Sequence, residues 1–101
     1  QGKILHKNLE KIADKYKKII LGCLGNGLIA SIIFKNYKNL SGKMVADKVS
    51  KNCLKQGLLV CNTGRESIKL GPPLIINKKV IHQASEIIED SIKEVFNENI
   101  K

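Results

Sequence analysis

A chain of 101 residues is long enough for one small domain and leaves little room for a linker or a second core. Its composition, 43% hydrophobic and 27% charged with two prolines, excludes collagen-like, mucin-like and wholly disordered polypeptides. The formal net charge is +9, and the first 55 residues carry it, with twelve lysines against three acidic residues. The longest strongly apolar run, residues 27–34, is too short to span a bilayer, so we expect no membrane partner.

The amino terminus bears on the origin of the chain. The first residue is Gln1 rather than Met, and the charged-then-apolar leader of a secreted protein does not open the sequence. We therefore expect a processed product or a piece of something longer.

The basic half of the chain has two interpretations, a surface for nucleic acid or another anionic partner and a solvated lysine face. Seventeen of the eighteen basic residues are Lys, and the exception is Arg65. Bidentate recognition of phosphate or guanine favours Arg, and four aromatic residues without Trp are few for stacking bases. We favour the solvated face and expect no nucleic-acid partner. A free-standing basic α+β module that binds nucleic acid or an acidic protein is the alternative.

Three cysteines, Cys23, Cys53 and Cys61, make an odd set without a CxxC pair. A small secreted scaffold would favour an even number, so the count indicates a reducing compartment, and we expect a cytoplasmic protein. With only His6 and His82 as further ligands, at no metal-ligand spacing, we expect no metal site. The thiols are expected to pack as small apolar groups.

Periodicity predicts the elements of the first half of the chain. Apolar residues recur every three or four positions over residues 3–18, with lysines on the other face, which predicts an amphipathic helix. Residues 19–24 and 28–34 are β-prone runs around Gly25-Asn26-Gly27, which is typical of a hairpin turn. Because both runs are continuously apolar, we expect strands with much of both faces covered. A second helix is predicted over residues 42–56 and ends at Gly57, a left-handed position.

Shorter elements are predicted in the second half. Residues 58–61 form a short apolar strand, Asn62-Thr63-Gly64 a turn, and residues 67–70 another strand. Pro72-Pro73 stops that strand, since proline cannot donate to a ladder.

The longest predicted helix closes the chain. Asn77 is its expected N-cap, and its apolar stripe runs from Val80 to Phe96. The resulting order is helix, strand, strand, helix, strand, strand, helix. It predicts an α+β domain in which helices pack on one face of a small, mostly antiparallel sheet.

Taken alone, the residues offer little chemistry. The sequence contains no GxSxG, P-loop or metal triad, and Gly25-Asn26-Gly27 lacks the third glycine and the following helix of a dinucleotide fingerprint. Arg65 and the strand residue Lys69 lie on either side of the predicted tight turn, where they could hold a carboxylate or a phosphate. The alternative is that both are solvent-facing positions on an edge strand.

Two segments carry a resemblance to a known family. Residues 57–76, with Lys69 in an apolar strand that runs into Pro72-Pro73-Leu74, resemble the carboxyl-terminal small domain of class III aminotransferases. These pyridoxal-phosphate enzymes include those acting on 4-aminobutyrate, ornithine and acetylornithine. Leu24-Gly25-Asn26-Gly27 falls where the family commonly has Arg-Gly-x-Gly. The resemblance covers nearly all of the chain and implies a single C-terminal small domain over residues 1–101.

The resemblance implies a fold-type-I enzyme, normally a homodimer, whose large domain carries the Schiff-base lysine and most of the pyridoxal-phosphate site. None of those motifs is present, so the large domain is absent from this chain. We therefore assign no catalytic and no cofactor-binding residue, and expect the chain alone to be inactive. By resemblance, the parent enzyme moves an amino group between an amine or amino acid and an oxo-acid. An aminomutase, a decarboxylase or a phospho-lyase of the family would share this domain.

Two positions depart from the family pattern. Many members have Arg where this chain has Lys69, and that Arg commonly binds the carboxylate of the substrate. Lysine keeps the charge but loses the bidentate fork. A Lys at this position resembles relatives that act on amino-phosphate or unusual amine substrates, which argues against an ordinary α-amino acid donor. Leu24 replaces the Arg of Arg-Gly-x-Gly. We expect Lys69 to bind the substrate's anionic group while the domain closes over it, with Arg65 as a candidate from the residues alone.

Overall fold

The computed structural model of the chain describes residues 2–26, 29–70 and 78–98. Three helices and four strands follow in the predicted order: α1 Gly2–Lys15, β1 Ile20–Asn26, β2 Ile29–Phe34, α2 Gly42–Lys55, β3 Cys61–Asn62, β4 Ser67–Leu70 and α3 Lys78–Glu98. The strands form one antiparallel sheet in the order β1-β2-β4-β3. The predicted α+β fold is confirmed.

The helices form a layer on one face of the sheet. Helix α1 packs against β1 and β2, α2 packs against β2, β3 and β4, and α3 packs against both other helices. A single core fills the space between the layers, because each amphipathic helix turns its apolar stripe inward. Its largest fully buried side chains include Leu5, Leu9, Ile32, Phe34, Ile68, Leu70, Ile88 and Ile92.

Capping groups set the ends of α1 and α2. The first helix ends at Lys15 rather than residue 18, because Ile19 and Ile20 both donate backbone N–H groups to the Tyr16 carbonyl and turn the chain into β1. The second matches its prediction to within one residue: Ser41 caps its first turn, and Gly57 follows its end with φ +90°. That left-handed conformation suits a residue without a Cβ.

Gly25 lies within strand β1 and not in the predicted turn. A Cβ there would collide with the Ile29 carbonyl oxygen and the ring of His6. The glycine is therefore required by the close approach of α1 and β2 to this strand. Asn26, also predicted in the turn, is the last residue of β1. Gly27, Pro72-Pro73 and the predicted N-cap Asn77 lie outside the described residues.

The strand predicted over residues 58–61 is reduced to Cys61–Asn62. Leu58 donates its backbone N–H to the Cys53 carbonyl at 2.9 Å and so continues the cap of α2 instead of entering the sheet ladder. Leu58 and Val60 are nevertheless buried in the core. The final helix is the longest element, as predicted.

The three thiols differ in their surroundings. All are unpaired: Cys53 is buried, Cys23 is half-buried and Cys61 is exposed. Burial raises the pKa of the Cys23 thiol to about 11 and also raises the pKa of Cys53. The predicted packing role therefore fits Cys53 and Cys23, but it is wrong for Cys61.

Candidate functional site

The described residues place all three helices on one side of the sheet and no element on the other side, which we call the open face. Residues alternate along β2, so that Ala30, Ile32 and Phe34 are buried by the helices while Ile29 is 55% exposed. Leu24 of β1 is 63% exposed on the same side. The expectation that much of both strand faces would be covered is therefore wrong for this chain alone. Adjacent large apolar side chains of this kind mark a surface that another polypeptide or a ligand covers.

Strand register places four residues of the open face in one line across the sheet. Leu24 pairs with Ser31, Ser31 with Lys69, and Lys69 with Cys61. Neighbouring strands lie about 4.8 Å apart, and directly opposed side chains point to the same face. We call this line the Lys69 row. It brings together side chains that are far apart in the sequence.

Lys69 supplies the positive charge of the row. Its side chain is exposed, whereas its strand neighbours Ile68 and Leu70 are buried in the core. Within the described parts of the chain, the ion pairs join Lys15 to Glu89 and Lys43 to Asp47. The Lys69 ammonium is therefore not neutralised by an acidic side chain of those parts, and it can attract an anion.

Arg65 lies outside the Lys69 row. It lies in the bend at residues 64–66 that joins β3 to β4, and its backbone N–H donates to the Thr63 hydroxyl at 3.3 Å. Arg65 is part of the connection between β3 and β4, and Lys69 follows on β4, so the prediction that the two cations lie on either side of the tight turn is wrong. Because this connection lies beyond the last residue pair of β3 and β4, Arg65 is near the end of the sheet. Both side chains are exposed, as the alternative interpretation expected. Its other part is wrong, because Arg65 is not in a strand and β4 lies between β2 and β3 and is not an edge strand.

Side-chain hydrogen bonds of Asn62, which the sequence pattern did not predict, anchor this turn. The Asn62 side-chain amide donates to Asp47 Oδ1 at 2.7 Å and to Ser50 Oγ at 3.3 Å, while its oxygen accepts the Gly64 N–H. The hydrogen bond from Asn62 holds the pKa of the Asp47 carboxyl below its usual range. The turn before β4 is thereby tied to α2. Asn followed two residues later by Gly signals a turn, but no local pattern identifies Asp47 as its partner.

The lysines of the basic half do not form one continuous surface. Helix α1 carries four lysines against two acidic residues and α2 four against one, but α3, which packs against both, carries five acidic residues against three lysines. Lys15 Nζ lies 2.8 Å from Glu89 Oε2 across α1 and α3. A groove of about 320 Å³ at this junction has walls of both signs, formed in part by Lys11, Lys15, Glu86 and Glu89. This alternation favours the solvated lysine face over a track for a phosphate backbone.

The described ranges, 2–26, 29–70 and 78–98, contain no group of three or more His, Cys, Asp or Glu side chains placed to hold a metal ion. In the same ranges, none of the helices combines the length and the apolar character that crossing a bilayer requires.

Comparison with known proteins identifies relatives along nearly the whole chain. The profile described as Aminotransferase class-III matches residues 1–92. A Pyrococcus furiosus transaminase named for aminoadipate semialdehyde and glutamate semialdehyde is 36% identical, over 89% of this chain and 24% of its own length. An acetylornithine aminotransferase of Prochlorococcus marinus is 32% identical, over 80% of this chain and 18% of its own length.

A solved structure supports the fold. A transaminase determined with L-alanine aligns with a TM-score of 0.84 at 19% identity, covering 99% of this chain and 24% of that chain. The chain thus spans about a quarter or less of the length of these relatives.

Proposed function

The chain belongs to the class III aminotransferase family, and from this premise we propose that it closes over the substrate of such an enzyme and binds its anionic group. One observation carries the proposal. Lys69 is exposed on the open face, and it occupies the position at which the family resemblance places a carboxylate-binding arginine. A lone ammonium attracts an anion as a point charge and leaves its orientation to neighbouring groups.

We propose that the large domain of the parent polypeptide covers the open face. The matched relatives are about four times as long as this chain, so most of their length lies outside it. Leu24 of the edge strand β1 and Ile29 of the neighbouring strand β2 are large apolar side chains of this face that are 63% and 55% exposed. Burying each such side chain stabilises an interface by roughly 1.5–3 kcal/mol. A domain that docks on this face would bring its own groups to Lys69.

Pyridoxal phosphate is the cofactor that the family implies, and we propose that the parent enzyme uses it. When bound, it supplies the electron sink for moving an amino group between an amine or amino acid and an oxo-acid. The described residues do not fit a cofactor cradle, because the cation of the open face stands exposed on a strand and no lysine here has the Schiff-base sequence context. The large domain would therefore hold the cofactor, and we assign it no residue of this chain.

Two properties of the parent complete the proposal. The family resemblance supports a homodimer. The unpaired Cys23, Cys53 and Cys61 support a reducing, cytoplasmic location.

The proposed role of Lys69 is tested in the full polypeptide that contains this chain. Lys69→Ala should raise KM for a carboxylated amino donor about tenfold or more and change kcat less, because a charge-assisted hydrogen bond is lost on binding. Lys69→Arg keeps the charge and should stay within a few-fold of the parent. An unchanged KM in Lys69→Ala contradicts the role. Arg65→Ala in the same assay tests the second candidate, for which we expect the smaller change.

A further inference from the structure

The Lys69 row contains one further polar side chain with an O–H group, that of Ser31. Ser31 is half-buried on β2 and lies directly opposite Lys69 on β4. Opposed residues of antiparallel strands have Cβ atoms about 4.5–5.5 Å apart. Within the described parts of the chain, the Ser31 hydroxyl has no hydrogen-bond partner. The other serine beside Lys69 differs, because Ser67 Oγ lies 2.9 Å from Thr63 Oγ1.

We propose that Ser31 donates the second hydrogen bond to a carboxylate that Lys69 attracts, and that Leu24 forms the apolar side of the same site. This inference rests on the proposed function of Lys69. It specifies the ligand as a carboxylate carried on an aliphatic chain.

A carboxylate requires a hydrogen-bond donor for each of its oxygens. Its two oxygens accept separate hydrogen bonds, and an arginine fork would satisfy both at once. The Lys69 ammonium is a single point charge, so the second oxygen needs another donor. Ser31 is the residue of the row that faces Lys69 across the strand pair and can supply one. An ammonium on a long stem and a hydroxyl close to the sheet can therefore hold one planar anion between them.

The remaining two members of the row limit the charge of the ligand. Leu24 lies on the far side of Ser31, and Cys61 on the far side of Lys69. The row thus offers one positive charge beside an apolar side chain. Once the large domain covers this face, the row alone would leave one negative charge of a phosphate dianion uncompensated next to Leu24, which is unfavourable, whereas a carboxylate is matched. The hydrocarbon chain of the ligand can pack on Leu24.

The test uses two substitutions at Ser31 that nearly match in shape and differ in the hydroxyl. In the full polypeptide, KM and kcat are measured for N-acetylornithine and for N-acetyl-1,4-diaminobutane, which lacks only the carboxylate. We expect Ser31→Val to raise KM for N-acetylornithine about fivefold with kcat little changed, and to leave the carboxylate-free amine unaffected. Ser31→Thr should remain within twofold of the parent. Both residues are β-branched, so both variants suit a strand position.

Ser67→Ala is the matched control, because Ser67 lies on the same face and strand as Lys69 but pairs with Ile33 in the next row. It should leave both KM values unchanged. Equal KM values for Ser31→Val and Ser31→Thr would overturn the inference, as would a parent enzyme that does not distinguish the two amines. If Lys69→Ala still raises KM in that case, the proposed function stands and only the role of Ser31 fails. If Lys69→Ala also has no effect, both fail.

Discussion

One face of the sheet is covered by the helices and the other is exposed. Strand β2 shows both environments within four residues. Ile32 is fully buried against the helices, while Ile29 is 55% exposed on the open face. On the helical side, apolar side chains pack in one core and Lys15 pairs with Glu89. On the open side, apolar side chains stand in contact with solvent around Lys69. The same residue type is therefore buried in the core on one face of the sheet and exposed on the other.

The largest expected effect is a difference in the free energy of unfolding between substitutions on the two faces of the sheet. Ile32→Ala should lower the free energy of unfolding by about 2–5 kcal/mol, because it leaves a cavity in the core. Ile29→Ala removes the same atoms from an exposed position of the same strand and should cost less than about 1 kcal/mol. Urea denaturation of the two variants measures the difference. Equal losses would contradict the assignment of the core to the helical face alone.

The thiols should report burial through their chemistry. The thiolate is the nucleophile, and a pKa of about 11 leaves Cys23 almost wholly protonated at pH 8. Peptide mass spectrometry after brief iodoacetamide treatment should find Cys61 alkylated about a hundredfold faster than Cys23. The Cys23 rate should continue to rise as the pH approaches about 11. Similar rates at the two thiols at pH 8 would show that the sheet does not protect Cys23.

The open face should also drive self-association of the isolated chain. Leu24→Lys places a charge in the apolar surface and should weaken association about tenfold, since burial of one large side chain is lost. Met44→Lys is the control, because Met44 is an exposed apolar residue on α2. Sedimentation equilibrium at several concentrations measures both. A larger loss of self-association in Met44→Lys would show that the associating surface lies on the helices.

A smaller effect tests whether the positive charge of Lys69 acts on its neighbour Cys61 in the Lys69 row. Cys61 lies opposite Lys69, so the anionic reagent iodoacetate should be favoured over neutral iodoacetamide at this thiol. Removing one charge about 6 Å away in water should lower that rate ratio about threefold in Lys69→Met. The ratio cancels any change in the thiolate fraction. Lys93→Met, an exposed lysine of α3, should leave it unchanged, and a fall in that variant would indicate a general charge effect.

Local signals were sufficient for most of the fold but not for the site. The stripes of α1, α2 and α3 depend on neighbours three and four positions away, so periodicity predicts them. The end of α1 depends on the Tyr16 carbonyl, and Gly25 is explained by contact with His6, which no local pattern reveals. The apolar runs of β1 and β2 predict cover on both faces, and the described residues supply it on only one of the two.

The candidate site likewise combines residues that the sequence predicts with contacts between distant segments that it does not. Lys69 was identified by resemblance and Arg65 by residue type. The pairing of Leu24, Ser31 and Lys69 is a matter of strand register between distant segments. The sequence around Ser31 predicts only that its side chain lies on the sheet face opposite to that of Ala30 and Ile32, because side chains alternate along a strand. Register of this kind is determined by the whole core, and so it emerges only from the structure.

The most direct measurement is the intact mass of the native protein that contains this stretch, captured from its source cells. If the chain is the small domain of a class III aminotransferase, that polypeptide should be about four times as long as the chain, as its matched relatives are. If the large domain covers the open face as we propose, Cys61 should resist alkylation in the same sample. A native species near 11.2 kDa with a reactive Cys61 would contradict this assignment. A binding module would then be the leading function.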